Sequence, residues 1–235
     1  MPDIAANLAG IKNHMAAACH RADRGTASLE LIAVSKTFSA DDVRTAMEAG
    51  QQVFGESRLQ EAESKIDLLP ASLHWHFIGR VQRNKVRKIL PRFEIIHAID
   101  SLRLAVYTDE IARELGLFPK VFLQVNIGSE QTKGGFEPDA LRAEIEALLA
   151  LGRLEVMGLM CIPPAGKTAE DSRQWFAALR NLRDELQLAT GVSLPALSMG
   201  MSDDFEIAIE EGATHVRVGS SIFGERSYRV DGELA

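Results

Sequence analysis

The chain has 235 residues, of which 46% are hydrophobic and 25% charged, the balance of an ordinary globular protein. This composition excludes a disordered chain, a collagen-like repeat and a disulfide-rich scaffold. With 26 basic and 33 acidic side chains the formal net charge is −7, which disfavours binding to nucleic acid or to an anionic membrane. The sequence shows no signal-peptide pattern and no run of about 20 apolar residues, so we expect a soluble, cytoplasmic protein with no membrane association.

The N-terminal segment repeats apolar residues every three or four positions, which predicts an amphipathic helix. Its apolar stripe comprises Ile4, Leu8, Ile11, Met15 and Cys19. A sustained coiled coil would need more heptads, so we expect this helix to pack against the body of the protein.

Short apolar runs then alternate with helical patterns along the rest of the chain. The runs predict eight strands, at residues 29–36, 51–56, 73–79, 94–100, 120–127, 154–160, 196–201 and 214–221. The intervening patterns predict helices at residues 40–49, 59–68, 82–90, 102–115, 138–151, 169–189 and 205–211. Such alternation is typical of βαβ units and a parallel sheet.

Eight such units in about 200 residues predict an α/β fold, a single (β/α)8 TIM barrel over residues 1–235 with an extra N-terminal helix. A doubly wound open sheet is the alternative. That fold would require a glycine-rich turn after the first strand, where this chain has Thr37, Phe38 and Ser39.

Ligand-binding residues of such barrels lie at the C-terminal ends of the strands, and Lys36 ends the first predicted strand. At an apolar barrel mouth, burial disfavours the charged ammonium and leaves a nucleophilic amine that can form a Schiff base with an aldehyde. The alternative is a lysine whose stem lies on the rim and whose ammonium stays in water, which is the commoner situation for a lone lysine.

Two turns rich in glycine and serine, at residues 198–202 and 217–221, lie at the ends of the last two predicted strands. Backbone N–H groups and hydroxyls in such turns can hold a phosphate, and barrels often bind phosphate in these two loops. Either turn alone is equally well explained as a tight turn that needs glycine. Their joint occurrence in the expected loops favours a phosphate site.

An amine and a phosphate site at one barrel mouth match pyridoxal 5′-phosphate (PLP), which offers an aldehyde and an anion. Arg217 can donate to the pyridine nitrogen, which would leave that nitrogen unprotonated and make the ring a weak electron sink. A salt bridge at the rim is the alternative role for Arg217. Asn126, after the fifth strand, can either contact the ring or cap the following loop.

Seven short motifs occur in order along nearly the whole chain after the first helix: AVSKT at 33–37, FGE at 54–56, HFIG at 76–79 with Gln82 and Asn84-Lys85, QVNI at 124–127, MGLM at 157–160, SMGMSD at 198–203, and VRVGS at 216–220 continuing to Gly224. Together they resemble the YggS/PROSC family of pyridoxal phosphate homeostasis proteins. The resemblance implies a barrel like the N-terminal domain of alanine racemase. It also implies Lys36 as the Schiff-base lysine, Ser198, Gly219 and Ser220 at the phosphate, and Arg217 at the pyridine nitrogen. Ser57-Arg58 departs from the family's common Asn-Tyr, which leaves the role of that position open.

Three function classes compete: a PLP-binding homeostasis protein that stores and transfers the cofactor, a PLP-dependent amino-acid racemase, and a nucleic-acid or partner-binding barrel. The third depends on the basic stretch 80–92, which is more simply a solvated helix face because no aromatic side chain is interleaved. A two-base racemase needs an acid or base on each face of the substrate. Lys36 could serve one face, but neither Tyr107 nor Tyr228 is an obvious second group, which leaves Glu56 or Asp100.

We therefore expect PLP homeostasis without catalysis, with the racemase as the alternative. The expected cofactor is PLP and the expected partners are PLP itself and apo forms of PLP-dependent enzymes, with no nucleic acid. We expect a monomer. No metal site is expected, because His74 and His76 form the closest histidine pair and lack a third ligand at suitable spacing.

Overall fold

The structure, a computed structural model, describes residues 2–130 and 132–225. Eight parallel strands form a closed barrel in chain order, with the first strand paired to both the second and the eighth. The strands are β1 (Glu30–Val34), β2 (Val53–Glu56), β3 (His74–Phe77), β4 (Ile95–Ile99), β5 (Lys120–Val125), β6 (Glu155–Cys161), β7 (Ala196–Ser198) and β8 (His215–Val218). This confirms the predicted TIM barrel and all eight predicted strands.

Helices connect the strands, and each βα loop lies at the same end of the barrel. They are α1 (Ile4–Arg21), α2 (Ala40–Glu48), α3 (Leu59–Ile66), α4 (Val86–Ile89), α5 (Leu102–Leu115), α6 (Pro138–Leu149), α7 (Arg173–Thr190), α8 (Phe205–Glu210) and α9 (Ser220–Phe223). Local signals set several boundaries. A capping box between Ser39 and Asp42 begins α2, and Gly116, with φ of 69°, ends α5 in the left-handed region.

The predicted helix at 82–90 is shorter than expected. It consists of a 3₁₀ turn, Arg83–Lys85, followed by the single turn of α4. Leu90 still has helical φ and ψ angles, and Pro91, which follows it, has no N–H with which to continue the helical hydrogen bonds. Val86 and Ile89 are nevertheless buried, as the sequence pattern predicts.

Helix α1 packs across α8 and α9 with its predicted apolar stripe buried. Polar contacts flank this stripe: Arg21 donates to Glu210 over 2.6 Å, and the Asn7 side chain donates to the Ile222 carbonyl over 2.9 Å. The N-terminal helix is therefore joined to the segment that follows β8.

The core fills both the barrel interior and the layer between barrel and helices, with Phe54, Phe122 and Phe176 among its largest wholly buried side chains. Cys19 and Cys161 are buried in this core and form no disulfide. Within the described residues, no helix has the length and apolar character needed to cross a membrane.

Candidate functional site

A cavity of about 220 Å³ opens at the C-terminal ends of the strands. Four of the six predicted site residues line it: Lys36, Arg217, Gly219 and Ser220. The rest of its lining comprises Val34, Ile78, Ile162, Met201, Ser202 and Asp203. The structure therefore places the candidate amine, the cation and the glycine-serine turn around one space.

Arg217 reaches this cavity from β8, and only 5% of its surface is exposed. Its Nη1 donates to Ser198 Oγ over 2.5 Å and its Nη2 donates to the Cys161 carbonyl over 2.9 Å. Burial lowers the pKa of Arg217, but a guanidinium remains protonated in proteins. In the described part of the chain no carboxylate pairs with Arg217, so the structure does not favour a rim salt bridge.

Ser198 lies beneath Arg217 rather than on the cavity wall. It is wholly buried, and its hydroxyl contacts His97 Nδ1 at 2.8 Å as well as Arg217. The structure therefore gives Ser198 a supporting position under the guanidinium, and it does not line the cavity where the sequence predicts a phosphate contact.

Below Ser198, three histidines meet inside the barrel. His97 Nε2 lies 3.2 Å from His76 Nδ1, and the His215 ring centroid lies 6.1 Å from that of His97. Burial lowers the pKa of His76 to about 3 and that of His215 to about 4, and it lowers the pKa of His97 well below its usual value. The interior thus carries neutral imidazoles at neutral pH. Sequence spacing could not reveal this cluster, because its members come from β3, β4 and β8.

The other histidine of the predicted pair, His74, points away from the cluster and contacts Glu94 at 2.6 Å. Among residues 2–130 and 132–225, no group of three or more histidine, cysteine or acidic side chains is arranged to hold a metal ion.

The turn after β8 approaches the end of β1 closely. A Cβ built on Gly219 would lie 3.2 Å from the Val34 carbonyl oxygen and 3.3 Å from Val34 Cβ, so glycine permits the approach. The Gly219 N–H donates to Ser202 Oγ over 3.2 Å. Ser202 is therefore a site residue that sequence reasoning did not select, although the 198–202 turn was identified.

Lys36 is half-buried and lies two residues after the end of β1. The residues on either side of it are held by α3. Lys65, of which only 5% is exposed, donates from Nζ to the Ser35 carbonyl over 2.7 Å. The Thr37 N–H donates to Glu61, and Thr37 has a φ of 71°, in the left-handed region.

Glu56 completes this support from the end of β2. Its Oε1 accepts from Lys65 Nζ over 2.8 Å and from Ser35 Oγ over 2.7 Å, and Lys65 also donates to Glu61 over 2.7 Å. Burial raises the pKa of Glu56, although the adjacent Lys65 acts in the opposite direction. We call Ser35, Glu56, Glu61 and Lys65 the lysine-loop network, because they fix the backbone that carries Lys36.

Aromatic packing also joins the neighbouring loops that follow β1 and β8. Phe38, two residues after Lys36, stacks on Phe223 of α9 with ring centroids 5.0 Å apart. The loop after β1 and the segment after β8 therefore pack against each other through these two rings.

Asn126 does not line the cavity. Its Nδ2 donates to the Glu130 carbonyl over 3.0 Å and to Glu137 over 2.8 Å, while its Oδ1 accepts from the Glu130 N–H over 3.1 Å. The structure thus favours the loop-capping alternative for Asn126.

The side chains considered as a second acid or base also lie elsewhere. Glu56 is committed to the lysine-loop network, and Asp100 does not line the cavity and accepts from the Ser101 hydroxyl over 3.2 Å. The ring of Tyr107 packs under Arg83, whose guanidinium carbon lies 4.3 Å from the ring centroid. Tyr228 lies outside the described residues.

A family model described as "Alanine racemase, N-terminal domain" matches residues 4–227. A pyridoxal phosphate homeostasis protein of Aquifex aeolicus is 45% identical to this chain, over 94% of this chain and 97% of that protein. The chain belongs to the family of pyridoxal phosphate homeostasis proteins. A second member, from Pseudomonas aeruginosa, is 46% identical over 97% of this chain and 98% of that protein.

The solved structure of a further relative, PipY of Synechococcus elongatus with PLP bound, superimposes on this chain with a TM-score of 0.82. It is 41% identical and covers 94% of this chain and 100% of its own. The resemblance inferred from the seven motifs and the barrel fold are confirmed.

Proposed function

We propose that this chain binds PLP in the 220 Å³ cavity and serves PLP homeostasis by reversible storage and transfer of the cofactor. The observation that carries the proposal is the convergence of Lys36, Arg217 and the Gly219-Ser220 turn on that single cavity. Bound PLP supplies an aldehyde for a Schiff base with the Lys36 amine and a phosphate that needs several donors.

The donors present fit the phosphate end of PLP. Gly219 brings the backbone close, and the hydroxyls of Ser202 and Ser220 lie on the same wall of the cavity. Backbone N–H groups and hydroxyls gathered in a turn are a common anion site. The residues that we propose to bind the phosphate therefore include Ser202 and not Ser198. Asn126 is not among the residues that we propose to contact the ring.

Arg217 fits the pyridine end of the cofactor. Its orientation is fixed before any ligand arrives, because Ser198 and the Cys161 carbonyl already hold its guanidinium. A permanent cation there would favour an unprotonated ring nitrogen, and such a ring withdraws electrons weakly. This supports holding the cofactor more than using it for catalysis.

The lining also supports a protein that does not turn over substrate. Among its described side chains, the titratable groups are Lys36, Arg217 and the exposed Asp203. A wider cavity of about 420 Å³ adjoins this one and shares Ile162, Met201 and Asp203 with its lining. We further propose that the protein acts in the cytoplasm as a single-domain monomer and passes PLP to apo forms of PLP-dependent enzymes.

Borohydride reduction of the PLP-loaded protein, followed by peptide mass mapping, tests the site. We expect one pyridoxyl adduct, on Lys36, and loss of the visible absorption band in Lys36→Ala. Lys88→Ala, an exposed lysine on α4, is the matched control and should keep the band. An adduct on a different lysine would contradict the proposed site.

Amino-acid racemisation by the same preparation tests the alternative. Dedicated enzymes commonly turn over at about 10 per second. We expect racemisation far below that rate for every amino acid tried. A rate close to that of dedicated enzymes would contradict the homeostasis role and support the racemase alternative.

A further inference from the structure

A second cavity, of about 200 Å³, lies beside the ends of β2 and β3 and shares no lining residue with the first. Three basic side chains line it: Arg58, Arg80 and Lys85. Its polar lining is completed by Ser57, Gln60 and Gln82, and its apolar lining by Leu59, Phe77 and Ile89. No described lining residue is acidic, so the cavity carries a formal charge of +3 in a protein whose net charge is −7.

These three cations differ from their neighbours in sequence. Arg87 pairs with Glu114, Arg92 lies 3.0 Å from Asp67, and the Arg83 guanidinium packs on an aromatic ring. Within the described residues, Arg58, Arg80 and Lys85 have neither an ion pair nor a side-chain hydrogen bond. Three like charges around one small space repel each other, and an anion between them would remove that repulsion.

The two loops that carry these residues are fixed against each other. A Cβ on Gly79 would lie 2.2 Å from the Ser57 carbonyl oxygen, so the backbones touch at this point. Arg58 follows Ser57 and Arg80 follows Gly79, so the two guanidinium groups extend from a common rigid junction. Ser57 and Arg58 are also the two positions at which the sequence departs from the family's common Asn-Tyr.

We propose that this cavity binds a small phosphate monoester, with the phosphate among Arg58, Arg80 and Lys85 and an apolar or aromatic body against Phe77 and Ile89. A guanidinium group can donate two parallel hydrogen bonds to the oxygens of one phosphate, and a lysine ammonium adds a compact positive charge. Phe77 and Ile89 are buried residues of the same cavity lining, so apolar side chains lie next to the three cations. We call it the β2–β3 anion site.

The test is calorimetric titration with phenyl phosphate, which has no aldehyde and cannot react with Lys36. The titration uses PLP-saturated protein, in which the proposed phosphate site at the turn after β8 is already occupied. It is then repeated without added PLP. We expect saturable binding that Arg80→Gln and Lys85→Gln each weaken by about tenfold or more, since each removes a charge-assisted contact. Lys88→Gln, an exposed lysine outside the cavity, is the control and should bind as the wild type does.

Three outcomes overturn the proposal: no saturable binding in either titration, equal affinity of the wild type and Lys85→Gln, or displacement of phenyl phosphate by a single-stranded oligonucleotide that binds more tightly. Thermal unfolding of each variant confirms that it is folded, which we expect because Arg80 is exposed and Lys85 is only half-buried. If PLP does not bind at Lys36, the titration without added PLP still measures binding of phenyl phosphate to the β2–β3 anion site. The two proposals can therefore fail independently.

Discussion

Replacing Lys65 by methionine would remove the central cation of the lysine-loop network while keeping most of the side-chain volume. The ammonium donates three hydrogen bonds, to the Ser35 carbonyl, Glu56 and Glu61, and Glu56 is wholly buried. Breaking a buried ion pair by removing one partner costs about 3–5 kcal/mol, because the other charge stays buried without compensation. We expect a loss of stability in that range, measured by urea unfolding.

The loss should depend on pH, and its sign follows from Glu56. Burial raises the pKa of this carboxyl in the folded protein, and without Lys65 the pKa rises further. Between the ordinary carboxyl pKa and the raised one, the folded state holds a proton that the unfolded state has released. Stability therefore falls as pH rises through this window. Lys65→Met should be less destabilised near pH 5 than near pH 8.

Two comparisons make the experiment decisive. Lys88→Met, at an exposed position, should change stability by less than about 0.5 kcal/mol. The double variant Lys65→Met/Glu56→Gln should recover part of the loss, since the buried charge is then absent. We also expect weaker PLP binding in Lys65→Met, because the Ser35 carbonyl loses its Lys65 donor and Glu61, which accepts from the Thr37 N–H, loses its partner. A variant as stable as the wild type at pH 8 would refute the role assigned to the network.

Three further predictions concern the site and the barrel interior. Ser202→Ala should weaken PLP binding by about fivefold in an absorbance titration, because the proposed phosphate site loses the Ser202 hydroxyl; an unchanged affinity would place the phosphate elsewhere. Gly219→Ala should cost about 1–3 kcal/mol in urea unfolding, because its Cβ would press on Val34, and should also weaken PLP binding. Wild-type stability should fall as pH drops below about 6.5, because the unfolded chain protonates its histidines while the three buried ones stay neutral in the folded protein. Each buried histidine contributes up to about 1.4 kcal/mol per pH unit to this fall. A flat pH profile of urea midpoints between pH 6.5 and 5 would contradict this last expectation.

The barrel could be predicted from the sequence because its signal is repeated. Each unit has an apolar run and an amphipathic pattern, and eight repetitions outweigh an uncertain boundary such as that of α4. Strand ends also locate Lys36 and Arg217, since a residue's position along a parallel strand determines its end of the barrel.

The details of the site could not be predicted, because they depend on how loops turn. Ser198 ends β7 and Ser202 lies in the turn after it, and only the path of the chain decides which hydroxyl faces the cavity. The Asn126 amide is used by the loop after β5, a choice that sequence reasoning left open. Lys65 lies 29 positions from Lys36 in the sequence, so nothing local indicates that it supports that loop.

The stacked pair Phe38–Phe223 has a consequence for the rate at which a ligand leaves. One ring belongs to the segment after Lys36 and the other to the helix that begins at Ser220, so neither loop can swing outward without disturbing the other. Once water has hydrolysed the Schiff base to the Lys36 amine and the free aldehyde, movement of the two loops together would open the amine end and the phosphate end of the site in one step. A protein that transfers its cofactor whole benefits from such a step, because no half-detached state is exposed to competing amines.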